Sequence, residues 1–386
     1  MSNRKLLILL LVALLTVSLV ATPALAQDEG EGSESGEENA SGITSIFIFI
    51  SGAALLIYSA EKLIGYLVGA ASGLNVSVFL LAIIFTGIEF DDIFLGVALN
   101  LEGLGGVALG IVFGTALSLT GVTLALAAIL TPTDVNIPRD YIAIFAIAPL
   151  VMIVFTLTAP LGTIDGVILL ALFVLFIAYV AVREYRSDTP VFRDAEMFEE
   201  IAEADGGREL TDGGTEQSFS AEMPFAEARE LPGWAGLGLA ILSLAGLIIG
   251  AATTGMGTEG ILQAYGLEGT LFGATIATAV LTIEDIFLTV EPVRKGAPEI
   301  GVGNVIGSVV FSVTGKLGVI LLAGGIVVGA NVLTWHLPAL IVLTAVAAYF
   351  IYTGKLKPWH GYTLLGLYIA YWVVSFVAFG TVPVEL

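Results

Sequence analysis

Apolar stretches of bilayer length recur along this chain in two clusters, and lipid leaves a polypeptide few options. No water reaches backbone N–H and C=O groups inside hydrocarbon, so a spanning segment must satisfy them itself, as a helix or within a closed barrel. The first cluster has runs near 43–71, 76–99, 105–130, 141–160 and 166–182. The second has runs near 234–253, 270–290, 300–328, 335–352 and 362–379. Each reaches, or nearly reaches, the roughly 17–25 apolar residues of a helical span. The pattern predicts an all-α integral membrane protein with ten transmembrane helices, five in each half. Only 13% of the residues are charged, against roughly 25% in soluble domains, so most of the chain does not face water.

The polar remainder sets the expected domain order. Arg4 and Lys5 precede an apolar run, and Thr22-Pro23-Ala24-Leu25-Ala26 supplies small residues for cleavage. Residues 1–26 therefore read as a signal peptide and 27–41 as an acidic extracellular tail. Residues 42–182 form the first five-helix repeat, 183–232 an acidic cytoplasmic loop, and 233–386 the second repeat. The net charge of −21 is concentrated in that tail and loop. Such density fits a halophile-like, heavily hydrated surface, with a cation-collecting funnel as the other reading. It makes a nucleic-acid partner a poor fit. The chain has no cysteine and two histidines, so thiolate chemistry and a histidine-rich metal site are excluded or weakened.

Basic residues test the threading. With the mature N-terminus outside, Arg139, Arg183, Arg186, Arg193, Arg208, Arg229, Arg294, Lys295, Lys355 and Lys357 all fall on the cytoplasmic side. The outer loops carry none, which is the positive-inside bias of a multi-pass protein of the cell membrane. Five spans per half then invert the second half relative to the first, a common transporter architecture with the substrate site near the midplane.

The halves also match in sequence at a constant offset of 193. Asp92-Ile93-Phe94-Leu95 recurs as Asp285-Ile286-Phe287-Leu288. Gly103, Gly110 and Gly114 pair with Gly296, Gly303 and Gly307; Thr115 pairs with Ser308 and Asp91 with Glu284. Upstream, Gly73-Leu74 pairs with Gly266-Leu267 and Phe79 with Phe272. Several spaced identities in one register mark a true repeat. Each repeat places acids near the middle of an apolar run: Glu89, Asp91 and Asp92 in one half, Glu284 and Asp285 in the other. A run opening with glycines and hydroxyls follows. Buried carboxylates are costly in a bilayer and tend to line a site or pathway, and oxygen ligands suit hard cations. Glu89 and Asp92 are three apart, as are Thr282 and Asp285, and at helical spacing each pair shares a face. Asp91 and Glu284 sit about 100° around the helix.

At these residues the chain resembles the sodium/calcium exchanger (cation/Ca²⁺ antiporter) superfamily. The second repeat, Arg294-Lys295-Gly296-Ala297-Pro298-Glu299-Ile300-Gly301-Val302-Gly303-Asn304-Val305-Ile306-Gly307-Ser308, is very like that family's second α-repeat. Gly73-Leu74-Asn75-Val76-Ser77 resembles the approach to its first. The resemblance implies a cation antiporter with no covalent chemistry, no resident cofactor, and Ca²⁺ and Na⁺ (or H⁺) as bound ions. By register, Asp92 and Asp285 take the place of the family's ligating glutamate. Glu89 and Thr282 stand where it has a ligating serine, and Asp91 and Glu284 replace its proline. Thr115 and Ser308 match the serine of its Gly-Ser-Asn segment. Ser312 fills a further polar position for which the first half has Leu119. The resemblance also implies that the first span of each half slides over a fixed core.

Three other readings keep a place. These are a proton- or potassium-coupled exchanger, a passive cation channel, and an intramembrane aspartyl protease using Asp92 and Asp285. The chain lacks the Gly-x-Gly-Asp and Tyr-Asp motifs of the last. Lys316, the basic residue well inside a repeat-core span, is either a tethered cation or the structural partner of a nearby carboxylate. Asn304 reads as a stabiliser of a broken helix or as a ligand, and the adjacent Glu61 and Lys62 as a pair or as snorkelling groups.

Overall fold

The computed structural model describes residues 34–72, 89–186, 233–294 and 298–379. The expected signal peptide, most of the central loop and the 73–88 segment lie outside these residues. The described chain is almost wholly helical: α1 (Glu34–Ser72), α2 (Phe90–Leu101), α3 (Gly105–Leu130), α4 (Arg139–Leu157), α5 (Thr163–Arg186), α6 (Gly233–Tyr265), α7 (269–294), α8 (Pro298–Ala323), α9 (Val332–Tyr352) and α10 (Pro358–Phe379). Eight of these are long and apolar enough to cross a membrane. α7, which bends by 58° between Ile283 and Asp285, makes a ninth if its two parts count as one broken span. α2 has 12 residues, and the earlier part of its expected run lies outside the described residues.

The repeat seen in sequence is a repeat in conformation. α3 is α-helical over Gly105–Ser118, a π-turn over Leu119–Thr123, and α-helical again over Leu124–Leu130. α8 repeats this as Pro298–Phe311, Ser312–Lys316 and Leu317–Ala323. Every boundary moves by 193. A π-turn closes i→i+5 hydrogen bonds and is rare; two more lie at Gly273–Ala277 in α7 and Val332–His336 at the start of α9.

The loops reveal how the halves lie. β1 (Thr133–Asp134), after α3, pairs antiparallel with β2 (Lys355–Leu356), before α10. At another place, Leu161, between α4 and α5, bridges to Ile326, between α8 and α9. The loop after the third helix of the first half thus joins the loop after the fourth helix of the second, and the reverse pairing holds at the mated positions. Parallel halves would put equivalent loops on one side; this crossed pairing is what an inverted repeat produces. Arg139 stacks on Tyr352, Arg183 binds Asp140 and Lys355 binds Asp134 at the β1–β2 end, so these predicted cytoplasmic cations share one end of the fold.

α3 and α8 are the most enclosed of the candidate spans. Close backbone contact needs glycine at Gly110, where a Cβ would stand 2.9 Å from the nitrogen of Ala274 and the Cα of Gly273 in α7. α1 and α6 lie against each other, and there a Cβ on Gly250 would meet the Leu56 nitrogen at 2.6 Å. The acid Glu268 caps α7 by accepting hydrogen bonds from the backbone N–H groups of Thr270 (3.0 Å) and Leu271 (2.6 Å), satisfying donors that a helix start leaves open.

Candidate cation site

The acids of the first half gather where the start of α2 meets the middle of α8. Glu89 is the N-cap of α2, and Asp91 and Asp92 lie in its first turn. The helix therefore begins one residue after Glu89, which corrects the expectation that Glu89 and Asp92 share a helix face. The helix N-terminus carries partial positive charge and favours all three carboxylates. Asp92 is 2% exposed, and Asp91 is also buried.

Lys316 reaches across from the second half. Its side chain is completely buried, and its ammonium forms ion pairs with Glu89 Oε2 and Asp92 Oδ2. Thr115 Oγ1 donates to that same Asp92 oxygen at 2.8 Å. The Ser308 hydroxyl is a neighbour of the Glu89 carboxylate. Groups from α2, α3 and α8 thus converge, two from each repeat core beside Glu89 itself. Two buried carboxylates would repel each other, and a buried ammonium alone would cost several kcal/mol. With both acids ionised, the three would carry a net charge of −1. Deleting one member of such a buried pair typically costs about 3–5 kcal/mol.

The π-turns help to aim these side chains. Positions four apart on an α-helix drift about 40° around the axis, because a turn holds 3.6 residues. The wider π-turn turns the chain less per residue, which counters that drift across Ser312–Lys316 in α8 and Leu119–Thr123 in α3. Thr115 and Ser308 each lie ten residues into rods of 26 residues, or about 15 Å of rise. Each rod is about 39 Å long, so both hydroxyls lie well inside it.

In the second half, Asp285 is buried just past the α7 bend and Thr282 is buried just before it. The bend persists with Glu284 in the position of the family's proline; the Glu284 side chain is outside the described residues. Among the described residues, the buried hydroxyls with no hydrogen-bond partner are those of Thr123, Thr282, Ser308, Ser312 and Thr344. Buried hydroxyls are ordinarily satisfied, and an unmet one costs about 1–3 kcal/mol. Three of the five are positions singled out from the sequence. Thr123 was not; the signal for it is that the offset of 193 makes it the mate of Lys316.

The convergence has limits. Among the described residues, no three carboxylates or imidazoles are gathered closely enough to hold a metal ion between them. On the first-half side the ammonium stands between the acids instead. Asn304 donates to Thr289 Oγ1 at 3.2 Å, tying α8 to α7, and Lys62 pairs with Glu61 at 3.1 Å.

Comparison with known proteins places this geometry. The family model described as sodium/calcium exchanger protein matches residues 44–182 and 235–377. The chain is 30% identical over 137 residues to the sodium/calcium exchanger MaX1 of Methanosarcina acetivorans, covering 35% of this chain and 39% of that one. It is 21% identical over 341 residues to the uncharacterized membrane protein MJ0091 of Methanocaldococcus jannaschii, covering 85% and 96%. The putative antiporter CaxA of Alkalimonas amylolytica is 22% identical over 74% of this chain and 82% of its own length. A solved structure of the sodium-calcium exchanger NCX_Mj, soaked with 10 mM Na⁺ and 10 mM Sr²⁺, has the same fold at a TM-score of 0.51 and 20% identity, covering 86% of this chain and 98% of that chain. Since the family match takes in both halves with their mated helices, the chain belongs to the sodium/calcium exchanger protein family.

Proposed function

We propose that this protein is a secondary-active antiporter that exchanges Ca²⁺ for Na⁺ or H⁺ by alternating access. The ions bind to oxygens of Glu89, Asp91, Asp92 and Thr115 from the first half and of Thr282, Glu284, Asp285, Ser308 and Ser312 from the second. The observation that carries this reading is the set of buried hydroxyls at Thr282, Ser308 and Ser312 that make no hydrogen bond among the described residues. These oxygens, near acids, are the kind of ligand that a partly dehydrated hard cation accepts. The gathering of Arg139, Arg183 and Lys355 at one end supports that end as cytoplasmic, with the mature N-terminus outside. The long α1 and α6 would slide against the core, exposing the site to one side and then the other.

The test is Ca²⁺ flux into proteoliposomes holding the purified protein, with Na⁺ and H⁺ gradients imposed separately. The reading expects uptake that reverses when the driving gradient reverses. A conductance indifferent to either gradient would instead make the protein a channel.

A further inference from the structure

The two repeat cores are not chemically equivalent: Glu89, Leu119 and Lys316 have Thr282, Ser312 and Thr123 as their mates, and the last of these pairs decides whether a basic group stands beside the acids. On one side, Lys316 of the α8 π-turn closes on Glu89 and Asp92. Moving each residue by 193 gives the other side: Thr123 of the α3 π-turn, facing the elements that carry Thr282 and Asp285. The π-turn of α3 does pack against α7. A tethered cation therefore stands at one position, and a short neutral hydroxyl at its mate. The Thr123 and Thr282 hydroxyls are both fully or almost fully buried and have no hydrogen-bond partner among the described residues.

We propose that Lys316 is a built-in cation that fills one of two symmetry-related cation positions, and that Thr123 completes the other, with Thr282 and Asp285, as the position for a mobile ion. This rests on the antiporter reading above and deepens it. An ammonium on a side chain cannot leave. The first-half acids are thus already neutralised by one charge, and the protein exchanges one monovalent ion fewer than a site with both positions open. Ammonium and Na⁺ carry the same charge, and the carboxylate oxygens at Glu89 and Asp92 can accept either one. The lone pairs of the Thr123 hydroxyl, by contrast, are available to a hard cation, which an ammonium in the same place would exclude.

Two variants test the two halves of the proposal in purified, reconstituted protein. Lys316→Ala should leave a cavity that Na⁺ enters. The Hill coefficient for Na⁺, read from Na⁺-dependent Ca²⁺ flux, should rise by about one ion, and the reversal potential should shift to match the added charge. The double variant Glu89→Gln/Lys316→Met removes one charge of each sign and should restore the original coefficient. Thr123→Val keeps the shape without the oxygen. It should raise half-saturating Na⁺ or Ca²⁺ about tenfold while leaving the melting temperature in choline chloride unchanged.

An unchanged Hill coefficient in an exchanging Lys316→Ala protein would overturn the tethered-cation assignment, and unchanged half-saturation in Thr123→Val would overturn the mobile position. Should Lys316→Ala unfold in choline, recovery by NaCl supports the proposal, and no recovery by any salt counts against it. Wild-type protein that exchanges no ions would sink the antiporter reading as well, so the two failures are told apart by the wild-type arm.

Discussion

Thr115 and Asp92 are joined by a 2.8 Å hydrogen bond in which the hydroxyl donates to Oδ2, the oxygen that also takes the Lys316 ammonium. Asp92 is therefore a carboxylate with one oxygen committed within the protein and its charge partly countered. Asp92→Asn keeps the volume and removes that charge, and Asp285→Asn does the same in the other half. Each should lower Ca²⁺ exchange at least about a hundredfold while the protein still elutes as a folded species. Ordinary flux in both variants would remove these acids from the site.

The hydroxyls separate into two kinds. Thr115 has a bond to lose, so Thr115→Val should destabilise the protein by about 1–3 kcal/mol. Thr282 and Ser312 have no such bond among the described residues. Thr282→Val and Ser312→Ala should therefore leave thermal stability nearly unchanged while raising the half-saturating Ca²⁺ concentration about tenfold, or 1.4 kcal/mol. Thermal melts in detergent beside flux titrations will show whether stability and affinity divide this way.

Gly110 has no room for a larger side chain. A Cβ there would press on the α7 backbone at Gly273 and Ala274, and neither helix can yield without moving its site residues. Gly110→Val should cost about 1–3 kcal/mol by overpacking and should reduce exchange by more than the stability loss alone explains. Comparing flux at matched folded fractions checks this.

Glu102, at the end of α2, is held above its usual 4.5 by burial and by the nearby Glu259 carboxylate. Its folded form binds a proton more tightly than the unfolded chain does. The stability it contributes is thus present below pH 4.5 and is lost as pH rises through the folded value. Glu102→Gln should flatten that part of the stability profile and slightly raise the melting temperature at neutral pH. The effect is small because the group is largely exposed to solvent. Melting curves from pH 4 upward, roughly to pH 7, will reveal whether the slope disappears.

Much of this arrangement is readable from residue order. Apolar run lengths locate some helices to within a few residues, as for the run at 141–160 and α4 at Arg139–Leu157, but α6 runs twelve residues past the end of its run at 253, to Tyr265. The offset of 193 holds for conformation as well as for sequence, since the same glycines and hydroxyls recur in α3 and α8. What stays hidden depends on contacts across the repeat. No spacing rule shows that Lys316 would meet Glu89 and Asp92, more than 220 residues away. Nor does local sequence announce the π-turn that holds both Ser312 and Lys316, a rare conformation. Glu89 read as helical because its neighbours are apolar; in the structure it is the residue on which the helix starts.

The tight seam between α1 and α6 has a consequence for how the protein can work. Gly250 lies against the backbone at Leu56, and Gly257 against that at Phe49, so the two long helices touch with no side chain between them to act as a cushion. Neither can shift alone without tearing that seam. A push on one is handed to its companion, so in the proposed exchange cycle the pair would act as a single shutter, drawing cover over one entrance as it uncovers the other.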